Sequence, residues 1–371
     1  MKPITKFARL FIDKPLNLEC GKNLSNITVA YQTYGDLNSD GTNGILICHA
    51  LTGNSHAAGI ISDEEIDNSN GNEFLKKYNR MYLKKPGWWD DLIGKEKVFD
   101  TNKYFVICSN ILGSCYGTTG PSSINDVTQN KYNMTFPYIT VRDMVKVQKA
   151  LCDFLKINRL VTVTGGSLGG MQVMEWSAMY GEMLDSIIPI ATCYAHSPWA
   201  IGLNESARIA ITNDSNWKDG DYTTQPINGL ILARRIGMQS YRSYKSFLLK
   251  YGREKKDKDY YQVQSYLRYQ GEKFANRFDA NSFLYLSNAM DNHDITQGRD
   301  KVENVLGNFK MNTLCIGISS DILYPAEEQK EIAKMIPNGK YAEINSIHGH
   351  DAFLIEFEQM TKIIKIFLDS V

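Results

Sequence analysis

The stretch that most restricts how this 371-residue chain can fold is six residues long: Gly165-Gly166-Ser167-Leu168-Gly169-Gly170. It joins the apolar run Leu160–Thr164 to a helical run that begins Met171-Gln172-Val173-Met174. G-x-S-x-G between a strand and a helix demands a very tight reversal. Bulky flanking side chains would strike adjacent strands, and the serine must take a strained backbone angle for its hydroxyl to stand above the sheet. The helix starting behind Ser167 aims free N–H groups at the same spot and favours negative charge there. A plain turn or a phosphate loop is the competing reading of such a glycine cluster. The lysine of a Walker loop is missing, and the spacing is not G-x-G-x-x-G.

Short β-branched runs recur around this motif: Ile45–Cys48, Tyr104–Cys108, Leu160–Thr164, Ile187–Ala191 and Thr313–Ile318. Runs so short and so apolar suit strands buried on both faces of a mostly parallel sheet. Thr140–Leu155 has helical spacing (Val141, Met144, Val145, Leu151, Leu155) and leads directly into Leu160–Thr164, a step of a doubly wound α/β fold. Two stretches break the alternation. Ser62–Lys85 is rich in Asn, Glu and Lys and reads as a surface insertion. Tyr194–Thr296 is mostly helical in pattern and reads as an α-helical lid over the carboxyl edge of the sheet. The expected organisation is a core of residues 1–193 and 297–371 and a lid of 194–296.

A serine at such an elbow is a weak nucleophile until an imidazole takes its proton, and the imidazole needs a carboxylate to fix its tautomer. In the α/β-hydrolase fold these groups follow in the order Ser, Asp or Glu, His, each at the carboxyl end of a strand. Thr313–Ile318 runs into Ser319-Ser320-Asp321, and Tyr341–Ile344 leads to Ile347-His348-Gly349-His350-Asp351. Asp321 as a solvated acid, or the histidines as surface residues, is the bland alternative for each taken singly. Order and element boundaries together select Ser167, Asp321 and a histidine, His350 or His348, as a catalytic triad. The oxyanion would need preorganised N–H donors. Leu168, directly after the serine, is one. The loop His49-Ala50-Leu51-Thr52-Gly53-Asn54 supplies the other, with Leu51 first and Thr52 close behind.

Bulk properties narrow the field. Lys plus Arg equals Asp plus Glu at 41 each, so no net field draws the chain to nucleic acid or an anionic membrane. Residues 1–15 offer no secretory h-region, and no run approaches eighteen apolar residues. The seven cysteines contain no C-x-x-C pair, and several lie in apolar runs, as reduced core residues would. A cytoplasmic location is expected. His348 and His350 are two apart on a loop, without H-E-x-x-H or a cysteine set, so neither a metal ion nor another cofactor is expected.

At this point the chain resembles the homoserine O-acyltransferases of the MetX type, within the α/β-hydrolase superfamily. The likeness rests on His49-Ala50-Leu51-Thr52-Gly53, Pro86-Gly87-Trp88-Trp89-Asp90, Thr119-Gly120-Pro121-Ser122-Ser123, the glycine-flanked elbow with Met171-Gln172, and Gly349-His350-Asp351-Ala352-Phe353-Leu354. It also rests on Phe136-Pro137 with Arg142-Asp143-Met144-Val145, on Ala233-Arg234-Arg235-Ile236 leading to Tyr241-Arg242-Ser243, and on Ser265-Tyr266-Leu267-Arg268-Tyr269-Gln270-Gly271. The match runs from about Val29 to Leu354. It implies homoserine O-acetyltransferase activity, with acetyl-CoA as acyl-donor substrate and L-homoserine as acceptor, through a ping-pong acyl-serine. The implied triad is Ser167, Asp321 and His350, with His348 at a position the motif does not fix. The implied substrate contacts are Arg234 and Tyr241 for the carboxylate and Asp351 for the ammonium, with Thr52 beside them. A homodimer pairing through the lid is also implied. Homoserine is a zwitterion, so a cation and an anion held apart also make chemical sense unaided, and Arg can grip a carboxylate with two parallel bonds. Two departures stand out: Leu168 where the family more often has Met, and a longer Ser62–Lys85 stretch. A succinyl donor, a serine acceptor, a plain esterase and a non-catalytic binding protein are the rivals.

Overall fold

The computed structural model describes residues 1–371. Eight strands form the central sheet: β1 (Lys6–Leu10), β2 (Ile27–Tyr34), β3 (Gly44–Cys48), β4 (Phe105–Ser109), β5 (Leu160–Gly166), β6 (Leu184–Ile190), β7 (Asn312–Ile318) and β8 (Gly339–Ile344). Their order across the sheet is β1-β2-β4-β3-β5-β6-β7-β8. Only β2 runs against the others; β4 through β8 are mutually parallel. Each of the five apolar runs picked out in the sequence is one of these strands, to within a few residues.

Both faces of the sheet are covered, which explains why its strands are apolar throughout. Along β3, Leu46 and Cys48 enter one core cluster while Ile45 and Ile47 enter the other. That is the two-residue period of a strand with no wet face. On the first face lie α3 (Val141–Phe154), α4 (Leu168–Tyr180) and α11 (Ala326–Met335); on the second lies the C-terminal α12 (Phe357–Leu368). Burying a single Leu or Ile side chain contributes on the order of 2 kcal/mol. α4 is buried on every side from Leu168 to Ser177, so it lacks the polar stripe of a surface helix. α3 starts at a capping box: the Thr140 hydroxyl accepts from the Asp143 N–H at 3.3 Å, and the Asp143 carboxylate accepts from the Thr140 N–H at 3.0 Å.

The remaining helices sit in two connections. Between β3 and β4 the chain forms α1 (Asp63–Asp67) and α2 (Glu73–Met81). The expectation of a mere surface insertion over Ser62–Lys85 is corrected here. Phe74, Leu75 and Tyr78 are buried, and the Glu65 carboxylate is enclosed where it accepts from the Thr5 N–H at 3.0 Å. The apolar side chains lie on one face of α2, and the intervening Asn, Glu and Lys residues hid that periodicity. Between β6 and β7 come α5 (Pro198–Thr212), α6 (Ile227–Tyr241), α7 (Tyr244–Tyr251), α8 (Gln262–Ala275), α9 (Ala280–Asp291) and the short α10 (Val302–Gly307). The chain enters and leaves the α5–α9 stretch side by side. Ile295 donates to the Tyr194 carbonyl, and His196 donates to that of His293, each at 2.9 Å. No helix is long and apolar enough to cross a membrane.

Candidate active site

Ser167 follows β5 and begins α4 with φ 60° and ψ −126°, a conformation that L residues rarely hold. A Cβ added at Gly165 or at Gly169 would be driven into the same Cys48 carbonyl oxygen, so glycine on both sides of the serine is a steric requirement. The strained residue is pinned from outside. Its N–H donates to the Ile190 carbonyl at 3.0 Å, and its carbonyl accepts from the Thr192 hydroxyl at 2.9 Å.

His350 lies on a 3-10 turn (Gly349–Leu354) beyond β8, and Asp321 on the turn after β7. The structure brings them together: His350 Nδ1 donates to Asp321 Oδ2 at 2.7 Å, and both are buried. The other carboxylate oxygen accepts the N–H groups of Leu323 at 2.8 Å and Tyr324 at 3.1 Å, which fixes the acid. Burial alone would lower the His350 pKa, but the Asp321 charge and hydrogen bond, with help from Asp351, lift it above the usual 6.5. Tyr324, Phe353 and Tyr241 pack around the imidazole, with ring centroids 5.2, 5.5 and 6.0 Å away. His348 makes no hydrogen bond or ion pair with Asp321, and its Nδ1 has no hydrogen-bond partner. No hydrogen bond joins Ser167 to His350. Such bonds are commonly loose in unliganded sites and tighten with substrate.

The N–H groups of Leu51, Thr52 and Leu168 have no protein acceptor. Leu168 opens a helix, where the first turn always leaves donors free. Leu51 and Thr52 lie on the loop after β3, whose turn is closed by Gly53 donating to the Ala50 carbonyl at 2.9 Å. His49 anchors the loop: its Nδ1 donates to the Ala50 carbonyl at 2.8 Å and its Nε2 accepts from the Ile111 N–H at 3.2 Å. Burial holds that imidazole neutral, with its pKa pushed down to about 4.

Arg234 projects from α6 over the rings of Tyr241 at 5.4 Å and Phe274 at 5.5 Å, and no carboxylate lies within ion-pair distance of it. It lines a cavity of about 240 Å³ with Thr52, Gly53, Gly166 and Trp88. Tyr241 lines a second, narrow cavity of about 30 Å³ that touches Ser167 and Leu51. Asp351 departs from expectation. It is not free to receive an ammonium unopposed, because Arg242 Nε lies 3.2 Å from Oδ2. Burial raises its pKa even so, against the pull of Arg242 and Arg234.

Sequence reasoning missed Arg242 as a partner of Asp351, and it missed Arg277, Tyr78 and Tyr82, which line the same 240 Å³ cavity as Arg234. The spacing of Phe74, Leu75, Tyr78 and Tyr82 is helical and could have been found; a lone Arg277 between two helices carries no periodic signal. A larger cavity, about 590 Å³, lies elsewhere, over Glu175, whose charge is met by Arg142 and Arg299 at 3.2 and 2.7 Å. No group of three or more His, Cys, Asp or Glu residues is gathered closely enough to hold a metal ion.

Residues 44–357 match the family model described as the alpha/beta hydrolase fold. The homoserine O-acetyltransferase of Moorella thermoacetica is 49% identical over 96% of this chain and 94% of its own length. That of Deferribacter desulfuricans is 48% identical over 95% and 92%. Among solved structures, the homoserine O-acetyltransferase from Bacillus anthracis superposes with a TM-score of 0.86 at 31% identity, covering 99% of this chain and 98% of that one. Esterase E22 reaches the same TM-score at 26% identity, covering 99% and 100%.

Proposed function

Because the chain belongs to the homoserine O-acetyltransferases of the alpha/beta hydrolase fold, we propose that Ser167, Asp321 and His350 carry its acyl transfer to homoserine, with acetyl-CoA as donor. The observation that carries this reading is the 2.7 Å bond between His350 and Asp321, both enclosed, on the same sheet edge as a serine at φ 60°. Ser167 Oγ attacks the thioester carbonyl while His350 Nε2 takes its proton. The tetrahedral oxyanion lies between the free N–H groups of Leu168 and Leu51, with Thr52 as the neighbouring donor. Losing one such donor typically costs about 3 to 4 kcal/mol of barrier. Collapse of the adduct breaks the carbon–sulfur bond, and the departing thiol takes the proton back from His350. The homoserine hydroxyl then gives its proton to His350 and attacks the acyl-serine, releasing the O-acyl product and restoring the Ser167 hydroxyl.

Arg234 is the group for the acceptor carboxylate: it is cationic, unpaired and faces a cavity beside Gly166. Tyr241 stands between Arg234 and His350 and orients the acceptor. Asp351 takes the ammonium by exchanging its contact with Arg242 for the substrate. Residues 194–296 serve as the lid and the remainder as the core. Water competes with homoserine at the acyl-serine, so a narrow cavity at Ser167 and an oriented acceptor favour transfer over hydrolysis. Exposed Trp199, Ile209, Ile227 and Leu232 on α5 and α6 support pairing of two lids in a homodimer. The chemistry calls on no group beyond the chain's own side chains and backbone N–H groups and the two substrates, and the protein acts in the cytoplasm.

Mass spectrometry after brief mixing with acetyl-CoA, and separately with succinyl-CoA, tests the reading. A peptide acetylated at Ser167 is expected, with far slower succinylation. Absence of an adduct on Ser167 sinks the mechanism, and equal succinylation sinks the choice of donor. Thiol release measured with and without homoserine separates transfer from the hydrolysis that an esterase performs; equal rates would overturn the transferase reading.

A further inference from the structure

The oxyanion loop is held at both ends by the core and at its middle by something else. At its start, Gln172 Nε2 donates to the His49 carbonyl at 3.2 Å, and His49 itself is bound on both ring nitrogens. At its end, Trp88 Nε1 donates to the Asn54 carbonyl at 3.0 Å. Between them, the Thr52 carbonyl accepts from Arg277 Nη1 at 3.1 Å. Arg277 lies in the turn between α8 and α9, so this contact crosses from the α5–α9 segment to the loop after β3.

Arg277 is an unusual residue to find there. It is 8% exposed, yet no carboxylate lies within ion-pair distance of it. Its partners are neutral: the Thr52 carbonyl and the Tyr116 hydroxyl, with the rings of Phe274, Tyr78 and Tyr116 at 5.5, 5.9 and 5.9 Å from the guanidinium carbon. An enclosed cation without a counter-ion carries a heavy desolvation penalty, and packing alone would be better served by an apolar side chain. A planar guanidinium does offer what an apolar side chain cannot, a fixed donor aimed at one carbonyl. The Thr52 carbonyl shares its peptide plane with the Gly53 N–H, which closes the turn on the Ala50 carbonyl at 2.9 Å. Gripping that plane restricts φ and ψ of Thr52, and through them the preceding peptide, which carries the Thr52 N–H.

We infer that Arg277 is a positioning residue that orients the Leu51 and Thr52 N–H donors by gripping the Thr52 carbonyl. The inference rests on the reading of Leu51 and Thr52 as oxyanion donors. It makes the oxyanion hole a joint product of the core and the helical segment. Arg277 does not touch the reacting atoms; it acts through the loop. Tyr116 in turn holds the same guanidinium nitrogen, and its phenol is buried among the same aromatic side chains. The nearby Tyr82 phenol is lowered below its usual range, because Arg277, Lys273 and Arg234 outweigh its burial, so positive charge pervades this cavity.

The test uses the full-length protein and p-nitrophenyl acetate, a small ester whose burst of nitrophenolate reports acylation without the acceptor. Arg277→Ala should slow the burst about 10- to 100-fold, part of the loss from deleting one oxyanion donor. The KM for homoserine should stay within about threefold of the parent, and millimolar guanidinium ion should restore several-fold of the lost rate. Arg277→Lys should lose less, and Tyr116→Phe least, about two- to fivefold; these two decide the matter if the alanine variant does not fold. An unchanged burst in a folded variant overturns the inference. So does a large rise in homoserine KM at unchanged acylation, which would make Arg277 an acceptor ligand, or a loss that guanidinium cannot restore. Ser167→Ala is run alongside. If it keeps its burst, the reading of the site fails; if it is dead while the Arg277 variants are normal, only the positioning role fails.

Discussion

On the side of Ser167 that faces the sheet, the residues of the candidate site are anchored by backbone or core hydrogen bonds. Ser167 is locked between Ile190 and Thr192, Asp321 takes two N–H bonds besides His350, and His49 is bonded on both ring nitrogens. On the side that faces α6 to α8, charged side chains stand with few partners. Arg234 rests on aromatic rings, Arg277 has only neutral acceptors, and Asp351 has a single ion-pair partner, Arg242. The chemistry of acylation recurs unchanged in each turnover and gains from rigidity. The acceptor has to enter, be gripped and leave, which calls for charges whose present partners are weak enough to replace.

If that contrast holds, mutations on the two sides should separate in their kinetics. Ser167→Ala removes the proposed acyl carrier and should lower turnover on the order of 10⁴-fold or more, followed as thiol release from acetyl-CoA. A variant that kept even a tenth of the parent rate would dissolve the distinction. Asp321→Asn should cost roughly 10³- to 10⁴-fold. It should also move the pH profile. The base accepts a proton only when neutral, and Asp321 raises the His350 pKa, so the acid limb of the parent acylation rate should lie above 6.5 and slide downward in the variant. A limb that stays in place would detach His350 from Asp321.

On the other side, Arg234→Met should raise the homoserine KM by about 10- to 100-fold, the loss of a charge-assisted pair, while acylation by acetyl-CoA stays within a few-fold. A fall confined to acylation would reverse the assignment of sides. Arg242→Ala should do least to turnover: freeing Asp351 from its cation changes homoserine KM by less than about tenfold, in a direction that reports whether Arg242 competes with the substrate. Away from both, Thr140→Ala breaks the capping box of α3 and should lower unfolding free energy by about 1 kcal/mol in denaturant titration, with kinetics untouched.

The same divide decides what could be read from the sequence. The elbow at Ser167, the acid after β7 and the histidine after β8 were legible because each is tied to a strand end, and strand ends show as apolar runs that stop. The choice of His350 over His348 came from the resemblance and agrees with the contact to Asp321. The asparagine- and lysine-rich Ser62–Lys85 stretch misled, since Phe74, Leu75 and Tyr78 bury one face of α2 while the polar majority faces out. Arg242 opposite Asp351, and Arg277 against Thr52, are contacts between segments over a hundred and over two hundred residues apart in the chain. No local pattern encodes them.

The paired entry and exit of the α5–α9 stretch bears on how this chain assembles. β6 and β7 lie side by side in the sheet, yet more than a hundred residues intervene. Were that length a loose coil, joining its ends would cost roughly 4 kcal/mol of closure entropy. With Tyr194 and Ile295 already bonded, the neighbouring strands meet as if linked by a short connection. Helices maturing at the far end of the loop would thereby hasten registry at the centre of the sheet, and a clip at residues 194 and 295 alone should speed refolding.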